Sequence, residues 1–116
     1  METLRREMLK ERFIDYAVKQ DNALNEGKGK IANRYHRRIW TLYREAKAKK
    51  CIDVFKECIN YPNLNVRLWA IGFIFALDPQ LAKRALKAIS TSDPFMDLSV
   101  KAMMEDFNNG HWESLL

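Results

Sequence analysis

Residues 59–77 read INYPNLNVRLWAIGFIFAL, and this stretch decides the fold. It opens on YPNLN, where Pro62 stands among asparagines. Proline cannot continue a preceding helix, and asparagine side chains satisfy local backbone groups, so the segment reads as a turn. A helix is expected from near Asn65 to Leu77. VRLWAIGFIFAL is apolar nearly all round, which marks a helix packed on several sides and hence the centre of the domain.

Working toward the C-terminus, Asp78-Pro79 pairs an N-cap with a proline at the first helical position. The helix it opens is expected to run from Pro79 to about Ile89, with Leu81, Ala82, Ala85, Leu86 and Ile89 inward. Asp93-Pro94 repeats the device and opens a helix to about Asn108, with Phe95, Leu98, Ala102, Met103 and Phe107 as candidate core. Asn109-Gly110 ends that helix, and 111–116 is expected to be a short tail.

Toward the N-terminus, a helix is expected over Lys50–Asn60, with Cys51, Ile52, Phe55, Cys58 and Ile59 on one side. Before it, Ile31, Tyr35, Ile39, Leu42 and Ala46 step by three or four residues and form one apolar stripe on a helix from Lys30 to Ala48. At 100° per residue, Lys30, Arg34, Arg37 and Arg44 fall opposite that stripe, with Arg38 and Trp40 on its flanks. The first helix is expected over Thr3–Asn25, carrying Leu4, Met8, Leu9, Phe13, Tyr16, Ala17 and Leu24 at helical spacing, with Thr3 as its cap. Gly27 and Gly29 close it, and the segment NEGKGK (25–30) is expected to be the most flexible point, with 28–30 the flexible turn between the first two helices. Nothing alternates with a strand period. The expectation is an all-α, single-domain antiparallel array of about six helices spanning 1–116.

The totals agree with one modest core. The chain has 116 residues, 47% hydrophobic and 30% charged, which is too apolar for a disordered segment. Net charge is +5, but residues 1–50 carry fourteen Lys/Arg against seven Asp/Glu, and residues 51–116 carry six against eight. Within 28–50 nine basic residues face a single acid, Glu45. Such asymmetry points to an anionic partner or surface. The charged start, METLRREMLKERF, lacks an apolar run of signal-peptide length, and no stretch approaches a membrane span, so a cytoplasmic location is expected. Two cysteines, Cys51 and Cys58, fit a reducing compartment.

The central stretch resembles the loop and second helix of a HEAT or armadillo repeat, carried by Pro62, Asn63, Asn65, Val66, Arg67 and Ala70. That resemblance implies an α-α superhelix in which Val66 and Ala70 meet a neighbouring helix and Arg67 lies along the groove between repeats. The chain also resembles a family of small bacterial armadillo-like domains of unassigned function. The landmarks are Ala32-Asn33, Tyr35, Tyr43, Lys47, Pro62, Val66 to Ala70, Asp78-Pro79, Ala82, Leu86, Ile89 and Gly110. Phe107 departs from the pattern, which tends to have Trp. This resemblance implies an interaction protein, in some members an immunity protein against a secreted toxin, and it supplies no catalytic residues.

The candidate binding residues are Arg34, Arg37, Arg38, Trp40, Arg44 and Lys47. Guanidiniums at helical spacing can clamp acidic side chains or phosphates, and a tryptophan beside them can anchor a partner. The competing reading is a solvated face whose charges pair with Glu45, Glu7, Glu11 or Asp15. A membrane-surface role would require the helix to undock, because its apolar face is needed for the core.

No catalytic set, cofactor or metal site is expected. Cys51 and Cys58 are seven apart and lack further ligands, so they read as buried structural thiols. The pairs Asp53/Glu57 and Asp93/Asp97 read as an exposed helix face and a cap. Trp69 is expected in the core. Trp112 is read as a seal on the end of the stack, or else as an exposed contact. The expected function is a non-catalytic module that binds an acidic protein surface, with nucleic-acid binding through the same residues as the alternative and no small-molecule substrate.

Overall fold

A computed structural model describes residues 2–92 and 97–116. Among them the chain forms six α-helices and one 3-10 segment, with no strand. The helices are α1 (Glu2–Asn25), α2 (Gly29–Ala48), α3 (Leu64–Ile74), α4 (Pro79–Ser92), α5 (Asp97–Asn108) and α6 (His111–Leu115). The 3-10 segment, Ile52–Cys58, lies between α2 and α3.

α1 and α2 form an antiparallel hairpin. Arg5 near the start of α1 and Lys49 just beyond α2 line one cleft, and Tyr16 meets Tyr35 at 5.8 Å between ring centroids. The turn is tighter than the expected flexible linker. Gly27, at φ 73°, lets the Lys28 amide reach the Ala23 carbonyl and the Gly27 amide reach that of Leu24, so α2 already begins at Gly29. This left-handed residue followed by a 6→1 bond is a standard helix stop. The end of α2 uses the same bonds, Cys51 to Ala46 and Lys50 to Lys47, but the left-handed residue is Lys50 at φ 56°.

That stop explains a correction. The helix expected over Lys50–Asn60 is instead the seven-residue 3-10 segment, because Lys50 is committed to the stop and Tyr61-Pro62 follow closely. Of its expected inward residues, Cys51, Phe55 and Cys58 are buried, while Ile52 and Ile59 are half-buried and the tighter 3-10 winding buries Val54 as well. Of the caps read from sequence, Asp78 forms as expected, while α3 starts at Leu64 rather than near Asn65 because Asn63 caps it. Asn63 accepts from the Val66 amide at 3.1 Å, and Asp78 accepts from the Leu81 amide at 3.1 Å. Thr3 lies inside α1 rather than before it. The Asp93-Pro94 cap and Phe95 lie outside the described residues.

α3 is the hub. It contacts α1, the 3-10 segment and α4, while α4 leads through α5 to α6. Phe73 gathers rings from three neighbouring elements: Tyr43 of α2 stacks on it at 4.5 Å, Phe55 of the 3-10 segment sits at 5.1 Å, and Phe13 of α1 at 6.1 Å. Two inward faces differ from expectation. Met8, Leu24 and Ile31 are exposed, because the α1–α2 seam closes on Leu9, Phe13, Ile39 and Tyr43 instead. On α5 the buried residues are Val100 and Phe107, leaving Leu98 81% exposed and Ala102 exposed. Phe107 stacks flat on Phe75 at 4.2 Å, which sets the rotation of α5.

The expected tail at 111–116 is a helix. α6 folds back so that the Trp112 indole N–H donates to the Gly72 carbonyl at 2.7 Å. Among the described residues no helix is long and apolar enough to cross a membrane.

Candidate functional site: the outer ridge of α2 and its flanks

The spacing of α2 and its burial pattern agree on which side faces out. Ala32, Ile39, Leu42, Tyr43 and Ala46 are buried, and Lys30, Arg34, Arg37, Thr41 and Arg44 are exposed opposite them. Thr41 donates to the Arg37 carbonyl at 3.0 Å and receives a bond from Arg44 at 3.3 Å. The ridge therefore carries three arginines with a small polar residue between them and no acid.

Among the described residues no carboxylate lies within 4.0 Å of the Arg34, Arg37, Arg38 or Arg44 guanidinium. Two of the four acids that could have neutralised them pair with other cations. Glu45 pairs with Lys49 at 2.6 Å, and Asp15 pairs with Lys19 at 3.0 Å. Farther along the surface Arg6 holds Asp53 through two bonds of 3.0 Å, and Lys10 holds Glu57 at 3.3 Å. The Asp53/Glu57 pair is thus the acidic half of a clamp between α1 and the 3-10 segment.

The six sequence-derived residues divide into three groups. Arg34, Arg37 and Arg44 form the ridge. Arg38 leans toward α1, its guanidinium 5.4 Å from the Tyr35 ring centroid and 5.8 Å from that of Tyr16. Such cation–π contacts hold an arginine in place at about 0.5–1 kcal/mol without cancelling its charge. Trp40 and Lys47 lie on the other flank. Trp40 is half-buried among aromatic rings, 5.2 Å from Phe73, 5.9 Å from Trp69 and 6.0 Å from Trp112. Lys47 donates to the Leu116 carbonyl at 2.8 Å. With Tyr43, Arg44, Ala48 and Leu115 these two line a cleft of about 400 Å³.

A second concavity lies on the same flank, toward the start of α2. It is a groove of about 320 Å³ lined by Gln20, Leu24, His36, Asn65, Leu68, Trp69, Met103 and Trp112. Its two amide side chains are hydrogen-bonded. Gln20, only 7% exposed, accepts from the Trp69 indole at 2.7 Å and from Asn65 at 3.0 Å, and Asn65 also donates to the Ala17 carbonyl at 2.7 Å. His36 meets the Trp69 ring edge-on at 5.1 Å. Sequence reasoning missed this groove. Its walls come from five helices, and the only early signal was a tryptophan placed beyond the last expected helix.

The cysteines carry no reactive thiolate. Both are free and buried; burial pushes the Cys58 thiol up to about 11 and raises Cys51 as well. Arg67 is half-buried, and its Nε has no hydrogen-bond partner among the described residues. Among the described residues no three His, Cys, Asp or Glu side chains come together to hold a metal ion.

A family model described as a domain of unknown function (DUF2019) matches residues 7–107. No curated protein and no solved structure matches the chain.

Proposed function

The chain belongs to the DUF2019 family, and we propose that it is a non-catalytic, armadillo/HEAT-like module that binds an acidic protein surface through the outer ridge of α2. The single observation that carries this reading is the set of exposed guanidiniums at Arg34, Arg37, Arg38 and Arg44 with no carboxylate partner among the described residues. Guanidiniums left without a carboxylate, while Glu45 and Asp15 pair with lysines, are available to a partner. Arginine suits that use because its planar fork grips carboxylates through two bonds. Trp40, Arg44 and Lys47 around one cleft extend the surface beyond the ridge.

The repeat-like architecture is supported by the capped α3, whose Val66 and Ala70 are buried as a repeat helix requires. A role in the bacterial cytoplasm as an immunity protein against a toxin extends the same reading. It rests on the resemblance and on the fit between a basic ridge and an acidic target. A gene for a large secreted toxin immediately upstream would support it, and a neighbourhood without one would count against it.

Nucleic acid is the second reading, because phosphates would meet the same guanidiniums. The acidic balance of residues 51–116 disfavours a long polyanion running across the domain. A pull-down with the wild-type chain and with Arg34→Glu/Arg37→Glu/Arg44→Glu decides between them. The expected result is an acidic polypeptide retained by the first and lost by the second, with unchanged far-UV circular dichroism. Neither duplex DNA nor single-stranded RNA should shift at about 50 mM salt. An identical retained set for both chains contradicts the ridge assignment.

A further inference from the structure

We infer that the groove beside α2 receives one aromatic side chain from the acidic segment that the ridge binds; this inference rests on the ridge reading proposed above. The groove has the composition of a recognition pocket. Leu24, Leu68, Trp69, Met103 and Trp112 supply apolar walls, and Gln20 and Asn65 complete the lining, Asn65 donating to Gln20 and to the Ala17 carbonyl. Its volume of about 320 Å³ falls at the small end of ligand clefts, which run from roughly 300 to 1,000 Å³. That size suits one large side chain and not a cofactor. Leu24 stands at its rim 56% exposed, an arrangement that costs hydration until something covers it.

The surroundings select the chemistry of what enters. None of the eight lining residues is acidic. His36 forms the edge toward α2, and stepping from it around the helix leads to Arg37 and then to Arg34 on the ridge. A chain crossing that edge passes from an apolar pocket onto unpaired guanidiniums. The segment that satisfies both is an aromatic residue flanked by carboxylates. Two tryptophans in the walls favour an aromatic guest, since ring pairs add about 0.5–1.5 kcal/mol beyond area burial. Trp69 is held by its bond to Gln20 and Trp112 by its bond to Gly72, so the pocket is formed before the guest arrives.

The test uses the isotopically labelled full chain and two capped pentapeptides, Glu-Glu-Trp-Glu-Glu and Glu-Glu-Ala-Glu-Glu, titrated at about 50 mM salt and followed by NMR. The tryptophan peptide is expected to bind on the order of tenfold tighter and to move the Leu24, Leu68 and Met103 methyls and both wall indoles, as well as ridge amides. The alanine peptide should move the ridge alone. The variant Leu24→Glu, at an exposed position, should erase the tryptophan peptide's advantage while leaving the ridge response. Equal binding by both peptides with an undisturbed groove overturns the pocket inference and leaves the ridge reading standing. An undisturbed ridge with both peptides overturns the ridge reading itself. Tighter occupation of the groove by a short single-stranded oligonucleotide overturns the protein guest in favour of a nucleobase.

Discussion

The Trp112 indole lies directly over Gly72, its N–H donating to the Gly72 carbonyl at 2.7 Å across forty residues of sequence. A Cβ added at Gly72 would sit 2.5 Å from Trp112 Cζ2 and 3.1 Å from the Met103 methyl. Glycine is therefore required in the last turn of α3 by a close approach and not by helix geometry. This contact docks α6 and forms one wall of the groove.

Replacing Gly72 with Ala should force Trp112 out of its seat. The expected loss is about 1–3 kcal/mol, the usual scale of overpacking. Urea denaturation and the near-UV circular dichroism of the indole check this. In a Trp112→Ala background the same substitution should cost far less, because only the flexible Met103 methyl then stands close to the added Cβ. Equal costs in both backgrounds would show that α6 does not dock on α3.

Lys50 occupies the left-handed position that ends α2, where a side chain costs about 1–2 kcal/mol relative to glycine. Lys50→Gly should therefore stabilise the chain by roughly 0.5–1 kcal/mol after the extra freedom of the unfolded glycine is discounted. A shift of the urea midpoint reads the sign. Destabilisation would mean that Lys50 is not left-handed in solution.

Burial holds the Cys58 thiol at about 11, against an ordinary value of 9.0. The folded chain thus keeps a proton that the unfolded chain sheds between those two values. Stability from this group is full below about pH 9 and falls as pH rises toward 11. Cys51 and Tyr43, both raised chiefly by burial, act in the same direction. Urea midpoints at a series of pH values test the slope, and Cys58→Ala should flatten part of it. Iodoacetamide should label the native chain at neutral pH much more slowly than the unfolded one.

Asp53 behaves oppositely. Its hydrogen bonds from Arg6 hold the carboxyl below its ordinary value, so their contribution is present above about pH 4 and fades as pH falls further. Both partners are substantially exposed, which limits the pair to about 0–1 kcal/mol. Asp53→Asn should lower the melting temperature slightly at pH 7, and the difference should shrink at high salt. A loss well above this range would show that the clamp does more than pin α1 to the 3-10 segment.

The parts of the fold that were legible in sequence are those set by local chemistry. Asp78 announces a helix start because a cap bonds an amide three residues on, and Pro62 among asparagines announces the turn before α3. The period of α4 placed Ala82, Leu86 and Ile89 inward, where they are. What was hidden depends on distant partners. The rotation of α5 follows from Phe107 stacking on Phe75, and α6 exists because Gly72 leaves room for Trp112. Lys50 gave no stop signal, since a lysine is not the residue that such a position advertises. At the site, helical spacing found the outward arginines, but it could not show that Trp40 turns inward among rings from α3 and α6.

The ridge itself should be structurally idle. Arg34, Arg37 and Arg44 are exposed and form no ion pair among the described residues, so Arg34→Glu/Arg37→Glu/Arg44→Glu should change folding stability by no more than about 0.5 kcal/mol per site. The measurement that bears most directly on function is the affinity of the retained acidic partner for this variant and for the wild-type chain, titrated calorimetrically at about 0.15 M salt. The account predicts a loss of at least a hundredfold with the melting temperature nearly unchanged. Affinities within about twofold of each other, measured on equally folded chains, would contradict it.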